Sequence, residues 1–413
     1  MNLVKTSFYT SISTALSFIS GFIVIKVVAV KIGPKGIAFV GQFQNTTAIL
    51  SMLATAAITM GVIKYLAEHK ADSLKSRQII STAFLIVFCT SIIISIIVMS
   101  TSSQLSRAAF KSNDFWLVYF LFGLFITLIA FNSLFSAILN GLKEIRKYTL
   151  VNICSSLLGV CFTVAGAYLF GLLGVLISGT AAAIIVFIVN IIIFRKLGIR
   201  WKPDFKAWDK KTAKMLSAFS LMAVVSGFVV PAMQILVRDR IMVQFSATEA
   251  GYWQAVTRIS DYYLAFITSV LAVYYMPRLS EIQSKTELKQ EILKAYKLIL
   301  PIVGSIALLI WLCKGFIIHT LFTTEFLPMK PLFAYQLLGD FFKIGSWLLA
   351  YLMIARAMTK TFIITEILFS VSYVGLSYFF IGQFGIIGAT YAFCINYAIY
   401  WAVMLVVMKS VIK

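Results

Sequence analysis

The chain has 413 residues, 61% of them hydrophobic and only 12% charged, with a formal net charge of +21. A mean hydropathy of +0.95 excludes a soluble globular domain of this length. The excess positive charge fits either a nucleic acid or a membrane surface, and its placement along the chain decides for the membrane.

A spanning helix needs about 20 apolar residues, and twelve such stretches fit this sequence. Backbone groups in hydrocarbon must be satisfied within their own helix, so the predicted fold is an all-α polytopic membrane protein. In chain order the predicted spans are Ser7–Val30, Ile37–Leu66, Ile79–Met99, Phe115–Leu139, Thr149–Phe170 and Leu172–Phe194. Then follow Met215–Ile241, Ala250–Leu279, Ala295–Leu312, Leu332–Arg356, Phe362–Ile381 and Gly385–Met408. The first stretch contains Lys26 and no small-residue cleavage site follows it, so it reads as a span and not as a removed signal. Gly33-Pro34 breaks the first span from the second. Gly171 alone separates the fifth and sixth, which predicts a tight hairpin with shorter helix ends.

The longest polar stretch, Arg195–Lys214, carries eight cations with Trp201, Pro203 and Trp208. It reads as an interfacial linker with aromatic anchors. It divides the chain into a six-helix lobe at 1–200, a cytoplasmic linker at 201–214 and a second six-helix lobe at 215–413. With the N-terminus inside, about 25 of the 36 Lys and Arg fall on the cytoplasmic side and about 7 outside. Both termini are therefore expected in the cytoplasm, and nucleic acid is not an expected partner. Membrane lipids are. Ser280–Lys297, with Ile282, Leu288, Ile292 and Leu293 among charges, predicts an amphipathic surface helix.

The halves resemble each other. Gly41-Gln42-Phe43-Gln44 and Gly251-Tyr252-Trp253-Gln254 stand 210 residues apart, and the same offset carries Lys26 to within two residues of Arg238. Either the apolar segments are alike by chance, or the lobes are related by a pseudo-two-fold axis along the membrane normal with a central cavity between them. The five cysteines fall in or at the ends of apolar helices and the two histidines have no cysteine partner at metal-site spacing, so neither metal nor cofactor is expected.

Four cations lie inside predicted spans: Lys26, Arg238, Arg258 and Lys343. A cation at the bilayer centre costs about 2.5–3.5 kcal/mol on insertion scales, so such residues mark a wet path, a partner or a ligand. Arg258 with Asp261, and Asp340 with Lys343, are spaced i,i+3 and can meet on one helix face. Each is either a self-neutralising pair or a switch in which an anion displaces the carboxylate, freeing it for a proton or sodium ion. Lys26 either snorkels to the outer interface or lines the cavity. Arg238 belongs either to the interfacial run Arg238-Asp239-Arg240 or to the interior. Glu366 is either an ion site or an acid in a first helical turn. Gln42, Asn45 and Thr46 share one face, as do Gln254 and Thr257. Beside Tyr252, Trp253, Tyr262 and Tyr263 these amides suit sugar hydroxyls, or equally bonds between helices. Pro231 and Pro277 predict kinks.

In order along the chain, Lys26-Val27-Val28-Ala29-Val30, Gly33-Pro34-Lys35-Gly36, Thr59-Met60-Gly61-Val62-Ile63-Lys64-Tyr65, Gly251-Tyr252-Trp253-Gln254, Ile259-Ser260-Asp261, Gln336-Leu337-Leu338-Gly339-Asp340 with Lys343, and Thr365-Glu366 resemble the O-antigen and enterobacterial-common-antigen flippases. These are polysaccharide transporters of the multidrug/oligosaccharidyl-lipid/polysaccharide exporter superfamily. The resemblance implies a non-enzymatic flippase in the bacterial inner membrane. Its substrate is an undecaprenyl-pyrophosphate-linked oligosaccharide moved from the cytoplasmic to the periplasmic leaflet. Lys26, Lys64, Asp261, Asp340, Lys343 and Glu366 stand at positions that look like those of the family's members. Together with the buried cations and amide faces read above, the expected substrate contacts are Lys26, Lys64, Arg238, Arg258 and Lys343 with Gln42, Asn45 and Gln254, and the expected ion-coupling acids are Asp261, Asp340 and Glu366. Arg258 departs from the common-antigen members, where a small polar residue is usual. Other glycan-assembly membrane proteins are candidate partners. Two other functions fit the class: a drug or cation antiporter of the same superfamily, and a membrane glycan polymerase or ligase. The short outward loops offer the latter no paired carboxylates and no nucleophile with its base.

Overall fold

The computed structural model describes residues 3–70, 72–197, 208–218, 220–356 and 358–412. These are helical almost throughout. They divide into two compact units: 1–32 with 42–231, and 33–41 with 232–413.

The first unit contains α1 (Leu3–Lys31), most of α2 (Gly33–Ala54), α3 (Thr59–Glu68), α4 (Ser73–Ser100) and α5 (Ser102–Phe110). It continues with α6 (Trp116–Gly141), α7 (Ile145–Lys196), α8 (Lys210–Ala218) and the start of α9 (Ser220–Gln244). The second predicted span is broken, because α2 and α3 meet at a 49° bend. Ala56 and Ala57 take positive φ in the turn between them. Gly61 of α3 lies against the backbone of Leu216 in α8, where a β-carbon would crowd the Leu216 carbonyl. The predicted outward loop after Ser100 is partly helical, as α5. The predicted linker starts at 201–207, outside the described residues, with Trp201 and Pro203. Its described end shows Trp208 exposed and Asp209 capping α8, accepting from the backbone of Lys211 and Thr212. Thr212's hydroxyl and N–H hold the Asp209 carboxyl below its ordinary value.

The fifth and sixth predicted spans form the single element α7, which doubles back at Gly171 (φ 58°, ψ −135°). Residues on either side pair across that turn. Gly166 and Gly174 touch backbone to backbone, and the Thr163 and Ser178 hydroxyls lie 3.0 Å apart. The helices reach the turn without shortening, because glycine alone adopts this conformation readily. The same pattern recurs in the second unit. Gly171-Leu172-Leu173-Gly174 is matched by Gly385-Ile386-Ile387-Gly388. Gly385 has φ 71°, and Gly388 packs on the backbone of Phe380.

The second unit holds the rest of α9, then α10 (Ala247–Val270), a π-helical turn (Leu271–Tyr275), α11 (Met276–Glu281) and α12 (Lys285–Leu312). After these come α13 (Lys314–Leu321), a 3-10 turn (Thr324–Met329), α14 (Leu332–Ala355), α15 (Thr359–Phe384) and α16 (Ile387–Ile412). The predicted surface helix is instead the first turns of α12, because Leu288 and Ile292 are buried in the same core as Leu279 and Ile282. Pro231 lies within α9, and Pro277 opens α11 directly after the π-helical turn. The core lies along α14, where Ile344, Leu348 and Leu352 form one buried stripe against Leu264, Ile267, Tyr275, Met404 and Met408. The segment 33–41 belongs to this unit through two close approaches. Gly41 of α2 accommodates the Gln254 side chain, and Gly251 of α10 lies on the Pro34 carbonyl.

Among the described residues, eight helices are long and apolar enough to cross a membrane, or nine with the bent pair α2 and α3. Two further helices have spanning length, α9 with 25 residues, whose charges Arg238, Asp239 and Arg240 are confined to its last turns, and α10 with 24, which carries Glu249, Arg258 and Asp261 along its length. At about 1.5 Å per residue both exceed a hydrocarbon core of about 30 Å. The multi-pass all-α architecture is as predicted; apolarity by itself does not yield the count of twelve.

A methyl group at Gly251 would meet the Pro34 carbonyl, whereas one at Gly375 would meet open space. Gly251→Ala should therefore cost about 1–3 kcal/mol through overpacking, while Gly375→Ala should leave stability unchanged or slightly raised. Thermal unfolding of both variants in detergent checks this; equal midpoints would contradict the contact.

Candidate functional site

In the second unit, the predicted charges lie on four helices, α9, α10, α14 and α15. α14 carries Asp340 one turn before its buried stripe, so a carboxylate continues the line of Ile344, Leu348 and Leu352. Asp340 is fully buried. Its Oδ2 accepts from the Tyr263 hydroxyl of α10 at 2.8 Å, and its Oδ1 accepts from Gln336 Nε2, one turn earlier, at 3.4 Å.

Lys343 is half-buried on the adjacent face of α14. Among the described residues no ion pair joins it to Asp340, although the spacing permits one. Its ammonium lies 4.9 Å from the Trp347 ring, 5.5 Å from Tyr397 and 5.6 Å from Phe393. A cation over one such ring gains about 0.5–2 kcal/mol, more as water is excluded. The charge still acts on both Asp340 and Glu366. Glu366 is half-buried on α15, two helical turns in from Thr359.

Arg238 of α9 is fully buried and donates from Nε to Gln254 Oε1 at 3.0 Å, with a second bond from Nη2 to the same oxygen. Its guanidinium lies 5.6 Å from the Trp253 ring. Arg258 and Asp261, both half-buried on α10, add opposing fields at Arg238. The two residues that the sequence treats separately, Arg238 as a cation and Gln254 as an amide, thus act as one hydrogen-bonded unit. A buried charge needs such partners, since one left without them would cost several kcal/mol.

The predicted residues of the first unit are placed on other helices. Lys26 is half-buried on α1, Gln42 is buried and Asn45 half-buried on α2, and Lys64 is exposed on α3 with Glu68 at 3.6 Å. Near Gln42, Phe43 meets the rings of Tyr119 and Phe122 edge to face. No group of histidine, cysteine and acidic residues suited to a metal occurs among the described residues.

Several residues of the second unit's site were missed from the sequence. Gln336 and Trp347 each stand four residues from a charged group on the same helix, a signal that was present. Tyr263 was read only as an aromatic beside an amide face. Phe393 and Tyr397 are i,i+4 on α16, and nothing local ties them to Lys343. If the Tyr263 hydroxyl supports Asp340, Tyr263→Phe should lower stability by about 1–3 kcal/mol and should cost nothing measurable once Asp340 is leucine. Unfolding of the four proteins of that cycle checks this; equal losses in both backgrounds would contradict it.

Residues 41–331 match the family described as polysaccharide biosynthesis protein. The chain is 31% identical over 403 residues to the lipid III flippase of Escherichia coli (strain K12), covering 97% of each chain. It is 22% identical to a putative O-antigen transporter of Shigella flexneri, over 96% of this chain and 95% of the other. Among solved structures, the inward-facing conformation of a multidrug resistance MATE family transporter of the MOP superfamily superposes with a TM-score of 0.80, covering 98% of each chain at 14% identity. That likeness shows that the chain shares its fold with that protein. Family match and whole-length identity agree, and the chain belongs to the polysaccharide biosynthesis protein family.

Proposed function

We propose that this chain is a flippase carrying an undecaprenyl-pyrophosphate-linked oligosaccharide from the cytoplasmic to the periplasmic leaflet of a bacterial inner membrane by alternating access. Its relatives are named as flippases and transporters, not enzymes. The observation that carries the reading is Lys343, a cation within an apolar helix and held by aromatic rings instead of a carboxylate.

On this reading the pyrophosphate is the anion that Lys343, Arg258 and Lys26 receive within the membrane. Lys64 meets it near the cytoplasmic entrance. Arg238 contributes positive potential through its buried unit with Gln254. At about 4 Å and an effective dielectric of about 20, each such contact contributes about 4 kcal/mol of attraction before desolvation, so a few cations suffice to draw the headgroup from water. Gln42, Asn45 and Gln254 supply amide partners for sugar hydroxyls. The polyprenyl tail stays in the lipid, which explains how a hydrophobic substrate of this size is accommodated.

Asp261, Asp340 and Glu366 are the proposed ion-coupling acids. When the pyrophosphate draws Lys343 and Arg258 towards itself, the field that stabilises the carboxylates weakens. A proton or sodium ion then becomes the natural replacement. Release of the substrate returns the cations and expels the ion. Both termini lie in the cytoplasm on this reading, with the linker at 201–214 between two lobes at 1–200 and 215–413.

Purified protein in liposomes should move a fluorescent lipid-linked glycan between leaflets, and Lys343→Ala should slow the initial rate at least about tenfold, the loss of one charge-assisted contact. A protein that moves no lipid-linked glycan, or an unaltered rate in Lys343→Ala, contradicts the proposal. Drug resistance without any glycan phenotype would instead favour a small-molecule antiporter.

A further inference from the structure

Asp340 and Lys343 stand i,i+3 on one helix, where opposite charges ordinarily meet. Here they part. Asp340 turns to the Tyr263 hydroxyl and Gln336, while the Lys343 ammonium lies among the rings of Trp347, Phe393 and Tyr397. Trp347 is one turn along the same helix from Lys343. Phe393 and Tyr397 are one turn apart on α16, and their own rings meet edge to face at 4.8 Å. Gly339 brings α16 this close: a β-carbon there would overlap the Phe393 ring and crowd the backbone of Cys394. Tyr373 of α15 braces the other side of Phe393, 5.9 Å between centroids. Thus four packing choices from three helices hold the rings around one ammonium.

We infer that the aromatic cage of Trp347, Phe393 and Tyr397 is a positioning device that keeps Lys343 off Asp340, so that its charge stays available to an anionic phosphate ligand. The inference rests on the flippase reading, and gives the rings a role there. An ion pair would fix Lys343 to one partner, whereas polarisable rings hold the cation without neutralising it. An arriving phosphate then has no carboxylate to displace from Lys343. The neutral donors Tyr263 and Gln336 do the complementary work at Asp340, satisfying the carboxylate without a cation. Neither Trp347, Phe393 nor Tyr397 needs to touch substrate.

The test combines lysine-specific 13C NMR with binding of farnesyl pyrophosphate to the purified full chain. In protein labelled at the lysine ε-carbon, one resonance should lie upfield of the rest through ring currents, and Lys343→Arg should remove it. Trp347→Leu should move it towards the ordinary position and weaken the Kd for farnesyl pyrophosphate roughly tenfold, whereas Trp347→Phe, which keeps a ring, should hold both near the wild-type values. Adding Asp340→Asn to Trp347→Leu should restore most of the affinity, because no carboxylate remains to capture the lysine. The absence of a shifted resonance overturns the cage by itself. A shifted resonance with an affinity indifferent to Trp347→Leu, or a loss that Asp340→Asn does not restore, overturns the positioning role. Wild-type protein that shows the shifted resonance but binds no farnesyl pyrophosphate overturns the flippase reading, and the inference with it.

Discussion

A charge within an oily helix must be held by something, and this fold depends on what holds it. Asp340 is held by neutral donors, a phenol and an amide. Lys343 is held by rings. Arg238 is held by the Gln254 oxygen and the Trp253 face. The contacts of Asp340 and Lys343 cancel neither charge, though they reduce the cost of burying it. A set of mutually neutralised ion pairs would be cheaper to insert and would have less to offer an incoming anion.

The architecture that brings these groups together is built from glycine contacts. Gly339 and Gly345 let the Phe393 and Trp401 rings of α16 settle on α14. Tyr296 then bonds the Gly345 carbonyl at 2.6 Å and accepts from Trp401 at 3.0 Å, fixing α12 to the same place. The apolar stripe of α14 continues below as the core of the second unit. One helix therefore anchors its unit with its lower turns and presents opposite charges on two faces of its upper turns. In the proposed mechanism that rigidity matters, because a cation displaced by an ångström from its phosphate loses much of the directional part of its binding.

Much of the fold was legible in the sequence because the membrane imposes a length and a composition. Most of the twelve predicted spans follow from apolar runs, and α10 is the one whose charges, Glu249, Arg258 and Asp261, lower its hydropathy. The hairpin at Gly171 was legible from one residue, since a lone glycine between two helical patterns leaves no room for a loop. Its counterpart at Gly385 carries the same Gly-x-x-Gly signal, and is a sharper trace of internal repetition than the Gly41 and Gly251 match. The α2–α3 bend was not legible, because no proline or glycine marks it and the turn falls on Thr55, Ala56 and Ala57. At the site, i,i+3 spacing brought attention to Asp340 and Lys343, and the same rule suggested that they meet. What separates them is tertiary. Tyr263 comes from α10 and the two further rings from α16, and local spacing carries no information about either.

The central claim is that Lys343 belongs to a water-reachable anion path and not to the lipid surface. The most direct measurement places a cysteine there, Lys343→Cys, in a chain whose five native cysteines are replaced, and follows its modification in membrane vesicles by a charged thiosulfonate reagent. The account predicts modification that slows when undecaprenyl pyrophosphate is added. A position inert to the charged reagent, yet readily modified by a maleimide that partitions into lipid, would contradict it.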